Sequence, residues 1–307
     1  IPQTSAKYFR VKIKDDNKGN SVGEVYLLKK GEKGLFESNY SQYPVKTTAI
    51  RTQTMDNYWE ANEIDSSSII QKPEDVVDLS SFIDANGKLT WNAPKGMWTI
   101  LRFGFTTTGV TNHPASPEGR GLECDKMDTT ALNIHFQNYP QKIIDIAGKY
   151  KGNTFKYFLV DSWEARMQNW TDLLGQEFEK RRGYSIVPYI PVLCGEVVQS
   201  SECVEAFLHD FRLTIGELLQ ENYFKHLADL CHRQGIQLYS EGIYGQELTP
   251  PIDVLQTYKY CDVPMSEFWA KIPAHTWPFP TIIPQNLGFV IPEHSALLYN
   301  MPIVAGE

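Results

Sequence analysis

The feature that most constrains this fold is a series of short apolar runs that alternate with helical stretches in the second half of the chain. Between the runs, apolar residues recur with the period of about 3.6 residues that is typical of helices. Strands that alternate with helices indicate a parallel sheet, either open or closed into a barrel. The predicted strands are Gly121 to Cys124, Tyr157 to Val160, Tyr189 to Leu193, Ile236 to Ser240, Asp262 to Ser266 and Pro302 to Ala305.

Most of these strands end beside carboxylates: Glu123 and Asp125, Asp161 and Glu164, then Glu241, Glu267 and Glu307. A single acid after a strand is better explained as a helix cap or a solvated loop residue. In a (β/α)8 barrel, however, the carboxyl ends of all strands converge on one mouth, whereas an open sheet would spread them along a line. Acids at several strand ends together therefore favour an α/β fold with a (β/α)8-type barrel.

The barrel is expected to be incomplete in this chain, because about six strands can be counted where closure needs eight. The missing pair is expected before Ile1, which would make the chain the central section of a larger enzyme. Residues 1–119 alternate apolar and polar positions, with an Asn86-Gly87 turn and a last strand from Trp98 to Thr106. We therefore predict an N-terminal all-β domain over residues 1–119 and a barrel portion over residues 120–307.

Composition excludes several classes of function. The net charge of -8 and the pI near 5.5 argue against nucleic acid as a partner, because that binding needs a basic surface. No apolar run is long enough to span a membrane, so no membrane partner is expected. The five cysteines form no CxxC pair, and no GxSxG or GxGxxG motif occurs, so zinc sites, nucleophilic triads and dinucleotide cradles are not indicated.

A set of motifs from Trp91 to Glu307 resembles glycoside hydrolase family 106, the α-L-rhamnosidases. The motifs are GLECDKMD, FLVDSWEARMQNWT, EFEKRRGYSIVPYIPVLCG, FLHDFRLTIGELLQENYF, SEGIYG, DVPMSEFW and HSALLYNMPIVAGE. The resemblance implies an inverting hydrolase that removes terminal α-L-rhamnose from plant or bacterial glycans, with a calcium ion at the sugar. A carbohydrate partner and a secreted or periplasmic location follow from that substrate class.

The resemblance also implies roles for particular carboxylates. Glu164, the glutamate of the DSWE motif, would be the general acid. The base would be Glu307 or Glu267, while Glu241 could serve as base or metal ligand. Glu241 and Glu123 are the carboxylates proposed for calcium, which prefers six to eight oxygen ligands. From the sequence alone, Asp161 is either part of the site, a cap on the predicted helix from Gln168 to Arg182 or a partner for Arg166.

The residue types near the strand ends suit a sugar pocket. Rhamnose is a 6-deoxy sugar, so its pocket should offer an apolar patch beside polar contacts. Trp163 directly precedes Glu164, and an aromatic wall there would favour the protonated carboxyl that an acid catalyst needs. Packing between helix and strand is the alternative for each aromatic residue. The candidates for substrate binding are Asp161, Trp163, Trp170, Glu241, Tyr244 and Trp269.

Two alternative functions remain open. One is a retaining barrel glycosidase in which Glu164 and Glu267 act as acid and nucleophile, although Trp163 stands where such enzymes usually carry Asn. The other is a carbohydrate-binding fragment without turnover, because the barrel is incomplete. The anomer formed first separates the two stereochemical outcomes.

Overall fold

The computed structural model describes residues 69–165, 168–194, 196–242, 251–266 and 287–306. At least one helix separates each strand from the next, as the apolar pattern predicts. The longer elements are α1 (Thr129–Asn138), α2 (Pro140–Ala147), β1 (Tyr157–Val160), α3 (Leu174–Arg182), α4 (Ser201–Leu219), α5 (His226–Arg233), β2 (Gln237–Ser240), α6 (Val254–Tyr258), β3 (Val263–Ser266), α7 (Leu287–Tyr299) and β4 (Ala305–Gly306).

The strands form one parallel sheet in the order β1-β2-β3-β4. Val160 of β1 pairs with Ser240 of β2, and Ser266 of β3 pairs with Gly306 of β4. The predicted parallel sheet is therefore confirmed, but the predicted strand from Gly121 to Cys124 is wrong, because Leu122 forms only an isolated antiparallel bridge with Thr111 among the described residues. Strands that neighbour each other in chain order are what a barrel requires, but a closed barrel stays a prediction because the described strands form four neighbours rather than a ring.

The predicted strand from Tyr189 to Leu193 is wrong, because this segment lies within a 3-10 helix, Val187–Cys194. Pro188 and Pro191 have no N–H group to donate to a sheet ladder, which disfavours a strand in a sheet interior. Val192 is fully buried, as a residue of a central strand would be. An apolar run of this length does not distinguish the two conformations.

The helical stretch after Ser200 consists of three consecutive pieces. The Ser200 side chain accepts a hydrogen bond from the Cys203 N–H at 3.3 Å and caps α4. A π-helical turn, Gln220–Lys225, then joins α4 to α5. No helix among the described residues is long and apolar enough to cross a membrane.

Two cores hold the sheet and helices together. The first contains Trp163 and Phe178, with side chains from α3, α4 and the 3-10 helix. The second contains Leu238 and Tyr258, with side chains from α1 and α5. Tyr223, on the π-helical turn, packs against both. This turn therefore stands at the junction of the two cores.

The predicted all-β domain is only partly within the described residues, since residues 1–68 lie outside them. The predicted Asn86-Gly87 turn is present: Gly87 has a φ of +77°, and Ile83 pairs with Leu89 across it. The predicted strand from Trp98 to Thr106 is not paired in the described part of the chain. Residues 1–119 as an all-β domain thus stay a prediction, as does the boundary at residue 119.

Candidate functional site

The carboxyl edge of the sheet brings two predicted site residues to adjacent strand ends. Asp161 follows β1 and Glu241 follows β2. The Glu241 N–H donates to the Val160 carbonyl at 2.9 Å, so these two chain segments leave the sheet side by side. β3 and β4 end at the same edge, but Glu267 and Glu307, which follow them in sequence, lie outside the described residues.

The end of β2 is tightly packed. Glu241 is 1% exposed. The hydroxyl of Tyr258, which is itself fully buried, contacts the Glu241 carbonyl and lies 2.7 Å from the Met265 carbonyl. Gly242 has a φ of +75°, and a Cβ there would lie 2.8 Å from Thr257 Oγ1. Tyr258 and Gly242 therefore fix the backbone that carries Glu241.

The end of β1 is open by contrast. The Ser162 N–H donates to Asp161 Oδ1 at 2.7 Å, and the Ser162 hydroxyl donates to Glu164 Oε1 at 3.2 Å. The Glu164 side chain is 60% exposed. α3 begins only at Leu174 and its N-cap is Leu173, so Asp161 stabilises its own loop rather than capping that helix. We call residues 161–164 the acid arm.

His113 is a site residue that sequence reasoning missed. Its Nε2 lies 3.4 Å from Glu164 Oε2. Asn112 holds the loop that carries His113, since its side chain donates to the Gly119 carbonyl at 3.1 Å and accepts from the Gly121 N–H at 2.8 Å. An Asn-His pair in a polar loop just before GLEC is a weak signal. Nothing in its spacing points to Glu164.

Trp163 points into the molecule rather than along the surface. It is 9% exposed, and its ring meets the Tyr223 ring edge-on, with centroids 6.0 Å apart. The packing alternative therefore describes this side chain, and the expected desolvation of Glu164 by its neighbour is not what the structure shows.

The other three aromatic candidates are Trp170, Tyr244 and Trp269, and only Trp170 lies within the described residues. Trp170 is half-buried, and its ring centroid lies 6.2 Å from that of Phe105, whose side chain is exposed. This pair is an apolar surface of the kind a deoxy sugar needs. Tyr244 and Trp269 lie outside the described residues, and their roles stay predictions.

The Glu123 carboxylate, one of the two proposed for calcium, has a cationic partner in the structure. Lys126 Nζ lies 2.5 Å from Glu123 Oε2. Within the described ranges, no group of three or more His, Cys, Asp or Glu side chains could hold a metal ion. Calcium needs six to eight oxygen ligands, so Glu123 would need further oxygen ligands to hold the ion. Calcium, and Glu241 as its ligand, stay predictions.

Glu196 is a second residue that the sequence did not single out. It is half-buried just beyond the 3-10 helix, and its N–H donates to the Pro191 carbonyl at 3.2 Å. Burial raises the pKa of the Glu196 carboxyl above its ordinary value of 4.5. A carboxyl with a raised pKa is a common feature of catalytic sites, although burial alone also produces it.

Comparison with known proteins adds independent findings. The family model described as alpha-L-rhamnosidase, glycoside hydrolase 106, matches residues 36–277. A protein of Formosa agariphila named "Putative beta-glucuronidase" is 43% identical over 207 residues, which are 67% of this chain and 17% of that protein. A rhamnosidase structure from Novosphingobium sp. PP1Y has 30% identity and a TM-score of 0.63 over 77% of this chain and 22% of its own. The chain thus spans about a fifth of the length of these relatives.

Proposed function

Because this chain belongs to glycoside hydrolase family 106, the α-L-rhamnosidases, we propose that it carries the general acid of an enzyme that removes terminal α-L-rhamnose. The observation that carries this proposal is the acid arm. Glu164 leaves the carboxyl edge of a parallel sheet with its side chain 60% exposed, while Trp163 beside it is anchored in the core. An accessible carboxyl on a fixed backbone suits a proton donor to a bound glycoside.

In the proposed reaction the Glu164 carboxyl donates its proton to the glycosidic oxygen as the bond to the sugar breaks. A carboxylate on the other face of the ring takes a proton from the attacking water, which inverts the anomeric centre. Ser162, whose hydroxyl donates to Glu164 Oε1, fixes the orientation of the carboxyl. A bound sugar would cover the arm and exclude water from it, which would favour the protonated form.

Glu307 and Glu267 are the proposed bases, and Glu241 remains an alternative. The inverting mechanism needs its two carboxyl groups about 6.5–9.5 Å apart, against about 5–5.5 Å for a retaining one. The family assignment supports the inverting mechanism, with Glu164 as acid and a separate carboxylate as base. A retaining mechanism in which Glu164 and Glu267 act together is the alternative.

A second sugar class has support of its own. The relative from Formosa agariphila carries the name of a β-glucuronidase. Glucuronic acid has a carboxylate at C6 where rhamnose has a methyl group, so its pocket would need a cation. Lys126, which is close to the acid arm, is already paired with Glu123. The apolar Trp170–Phe105 pair instead suits the methyl group, which supports rhamnose as the first candidate.

The test is a hydrolysis assay on aryl α-L-rhamnoside and aryl β-D-glucuronide, with the first-formed anomer identified by NMR. We expect turnover of the rhamnoside with inversion. Turnover of the glucuronide alone would replace the proposed substrate, and retention would favour the pair Glu164 and Glu267. Binding without turnover would favour a carbohydrate-binding fragment.

Calcium and location belong to the same proposal. Loss of rhamnoside turnover in EDTA, with recovery on adding calcium, would support a calcium ion at the sugar. A polysaccharide substrate implies a secreted or periplasmic enzyme, with no nucleic acid or membrane as partner and with further segments of the full-length enzyme as neighbours. Proteolysis of intact and permeabilised cells would test the location.

A further inference from the structure

We propose that Lys126 is a positioning residue for Glu164, an internal cation that holds the acid arm in place through Trp163; the inference rests on the proposed function. Lys126 is 5% exposed, which is rare for a lysine. Its ammonium group lies 2.5 Å from Glu123 Oε2. A buried charge is costly unless it is paired, so this ion pair explains how the ammonium group is kept inside.

The same ammonium group contacts two aromatic rings. Lys126 Nζ lies 5.3 Å from the centroid of the Trp163 ring and 5.6 Å from that of the Tyr223 ring. A cation near the face of an indole is attracted by its ring electrons, and the attraction strengthens away from water. Burial also raises the pKa of Tyr223, so its phenol stays neutral beside Glu123. Trp163 is therefore held by charge as well as by packing.

Hydrogen bonds also hold Gln168, four residues beyond Glu164. The Lys126 N–H donates to Gln168 Oε1 at 3.3 Å, and Gln168 Nε2 donates to the Cys124 carbonyl at 3.4 Å. Trp163 and Gln168 stand on either side of Glu164 in the sequence. Both therefore attach to the segment 123–127.

The segment 123–127 is itself hydrogen-bonded to the π-helical turn between α4 and α5. Asn222 Nδ2, on the π-helical turn, donates to the Met127 carbonyl at 2.7 Å. Tyr223, the next residue, supplies one of the two rings around the ammonium group. Because Glu164 itself is exposed, its position depends on these contacts below the arm more than on its own partners. Removing the cation should let the carboxyl move away from the glycosidic oxygen.

The experiment uses Lys126→Met in the full-length protein with phenyl and dinitrophenyl α-L-rhamnosides. A dinitrophenolate leaves without much help from an acid, whereas a phenolate needs the proton. We expect kcat on the phenyl substrate to fall about tenfold or more and kcat on the dinitrophenyl substrate about threefold or less, with KM little changed. Lys126→Arg keeps the charge, so its kcat on the phenyl substrate should lie between those of Lys126→Met and the wild type.

Lys225→Met is the matched control. Lys225 is also paired with an acid, since its Nζ lies 2.7 Å from Asp229 Oδ2, but its side chain is 50% exposed. We therefore expect Lys225→Met to turn over both substrates at the wild-type rate. If kcat in Lys126→Met fell equally on both substrates, or fell on neither, the proposal would be overturned. If Lys126→Met fails to unfold cooperatively, it is not properly folded, and the ratio of kcat on the phenyl and dinitrophenyl substrates is then measured on Lys126→Arg to decide the proposal.

A spectroscopic measurement separates this inference from the proposed function. The difference in emission between each protein and its Trp163→Phe counterpart isolates the Trp163 indole. We expect this emission to shift to the red in Lys126→Met and to stay unchanged in Lys225→Met, whichever sugar the enzyme cleaves. Wild-type protein that hydrolyses no rhamnoside would refute the proposed function, whereas an unchanged Trp163 emission would refute the role of Lys126.

Discussion

The ends of β1 and β2 leave the sheet side by side, but they are built in opposite ways. After β1, the Glu164 side chain is 60% exposed and contacts Ser162 and His113. After β2, Glu241 is 1% exposed and its carbonyl contacts the buried Tyr258 hydroxyl. An acid catalyst must reach its substrate, whereas a group that organises a pocket must not move. The first strand end is therefore accessible, and the second is held by packing.

The largest expected effect is at the exposed end. Glu164→Gln keeps the shape of the side chain but removes the proposed proton donor. We expect kcat on phenyl α-L-rhamnoside to fall by about 10²–10⁴-fold, the usual contribution of a general acid. Glu74→Gln, at an exposed position of the 3-10 turn Pro73–Asp75, is the control. Turnover near the wild-type level in Glu164→Gln would remove Glu164 from the role of acid.

At the buried end the expected effect is on stability. Gly242→Ala combines a left-handed backbone with a Cβ 2.8 Å from Thr257 Oγ1, and we expect it to lower the free energy of unfolding by about 2–4 kcal/mol. Gly183 has a φ of +80° but open space around it. Gly183→Ala should therefore cost only the backbone part, about 1–2 kcal/mol. Urea denaturation measures both, and equal losses would show that the packing at β2 is loose.

Tyr258→Phe tests the contact that joins the ends of β2 and β3. Removing the hydroxyl leaves the carbonyls of Glu241 and Met265 without this donor in a buried place, which should cost about 1–3 kcal/mol of unfolding free energy. Tyr139→Phe, at a side chain that is 64% exposed, is the matched control and should change little. A loss no larger than the control's would mean that water or another donor replaces the hydroxyl.

The sheet was predictable from sequence because its signal is local. Apolar runs such as Tyr157–Val160 alternate with helical periods, and this pattern survives in the structure. The segment from Tyr189 to Leu193 failed because it is as buried as a strand, and two prolines decide its conformation. A short apolar run predicts that a segment is buried. It does not predict whether the backbone of that segment is a strand or a helix.

The candidate site was harder to predict because its contacts join distant parts of the chain. The acids at strand ends follow from topology, so Glu164 and Glu241 could be named. The contact between His113 and Glu164 spans 51 residues, and no spacing rule connects them. The direction of the Trp163 ring depends on Lys126 and Tyr223, which pack against it from two other segments. The sequence placed Trp163 beside Glu164 and so suggested that its indole forms a pocket wall, whereas in the structure the indole packs into the core.

A smaller effect is expected from His113, because its contact with Glu164 is exposed. Pairs of this kind contribute about 0–1 kcal/mol, so His113→Ala should change kcat/KM by no more than about fivefold. His209→Ala is a matched control, since His209 Nδ1 lies 3.5 Å from Asp210 on α4 with its side chain 70% exposed. A loss of about a hundredfold would show that the substrate buries His113 and that it belongs with Glu164 in the catalytic centre.

The last prediction concerns Glu196, a carboxyl with a burial between those of Glu164 and Glu241. Burial raises its pKa above 4.5 in the folded protein, so the folded state keeps the proton to a higher pH than the unfolded chain does. This carboxyl therefore lowers stability as the pH rises from 4.5 through the raised value, and the loss persists above it. Glu196→Gln cannot ionise, so its stability relative to the wild type should increase from about pH 4 to about pH 7 in urea denaturation. Glu205→Gln, at an exposed position of α4, controls for the lost charge, and a relative stability that falls with pH would show that Glu196 gains a cationic partner in solution.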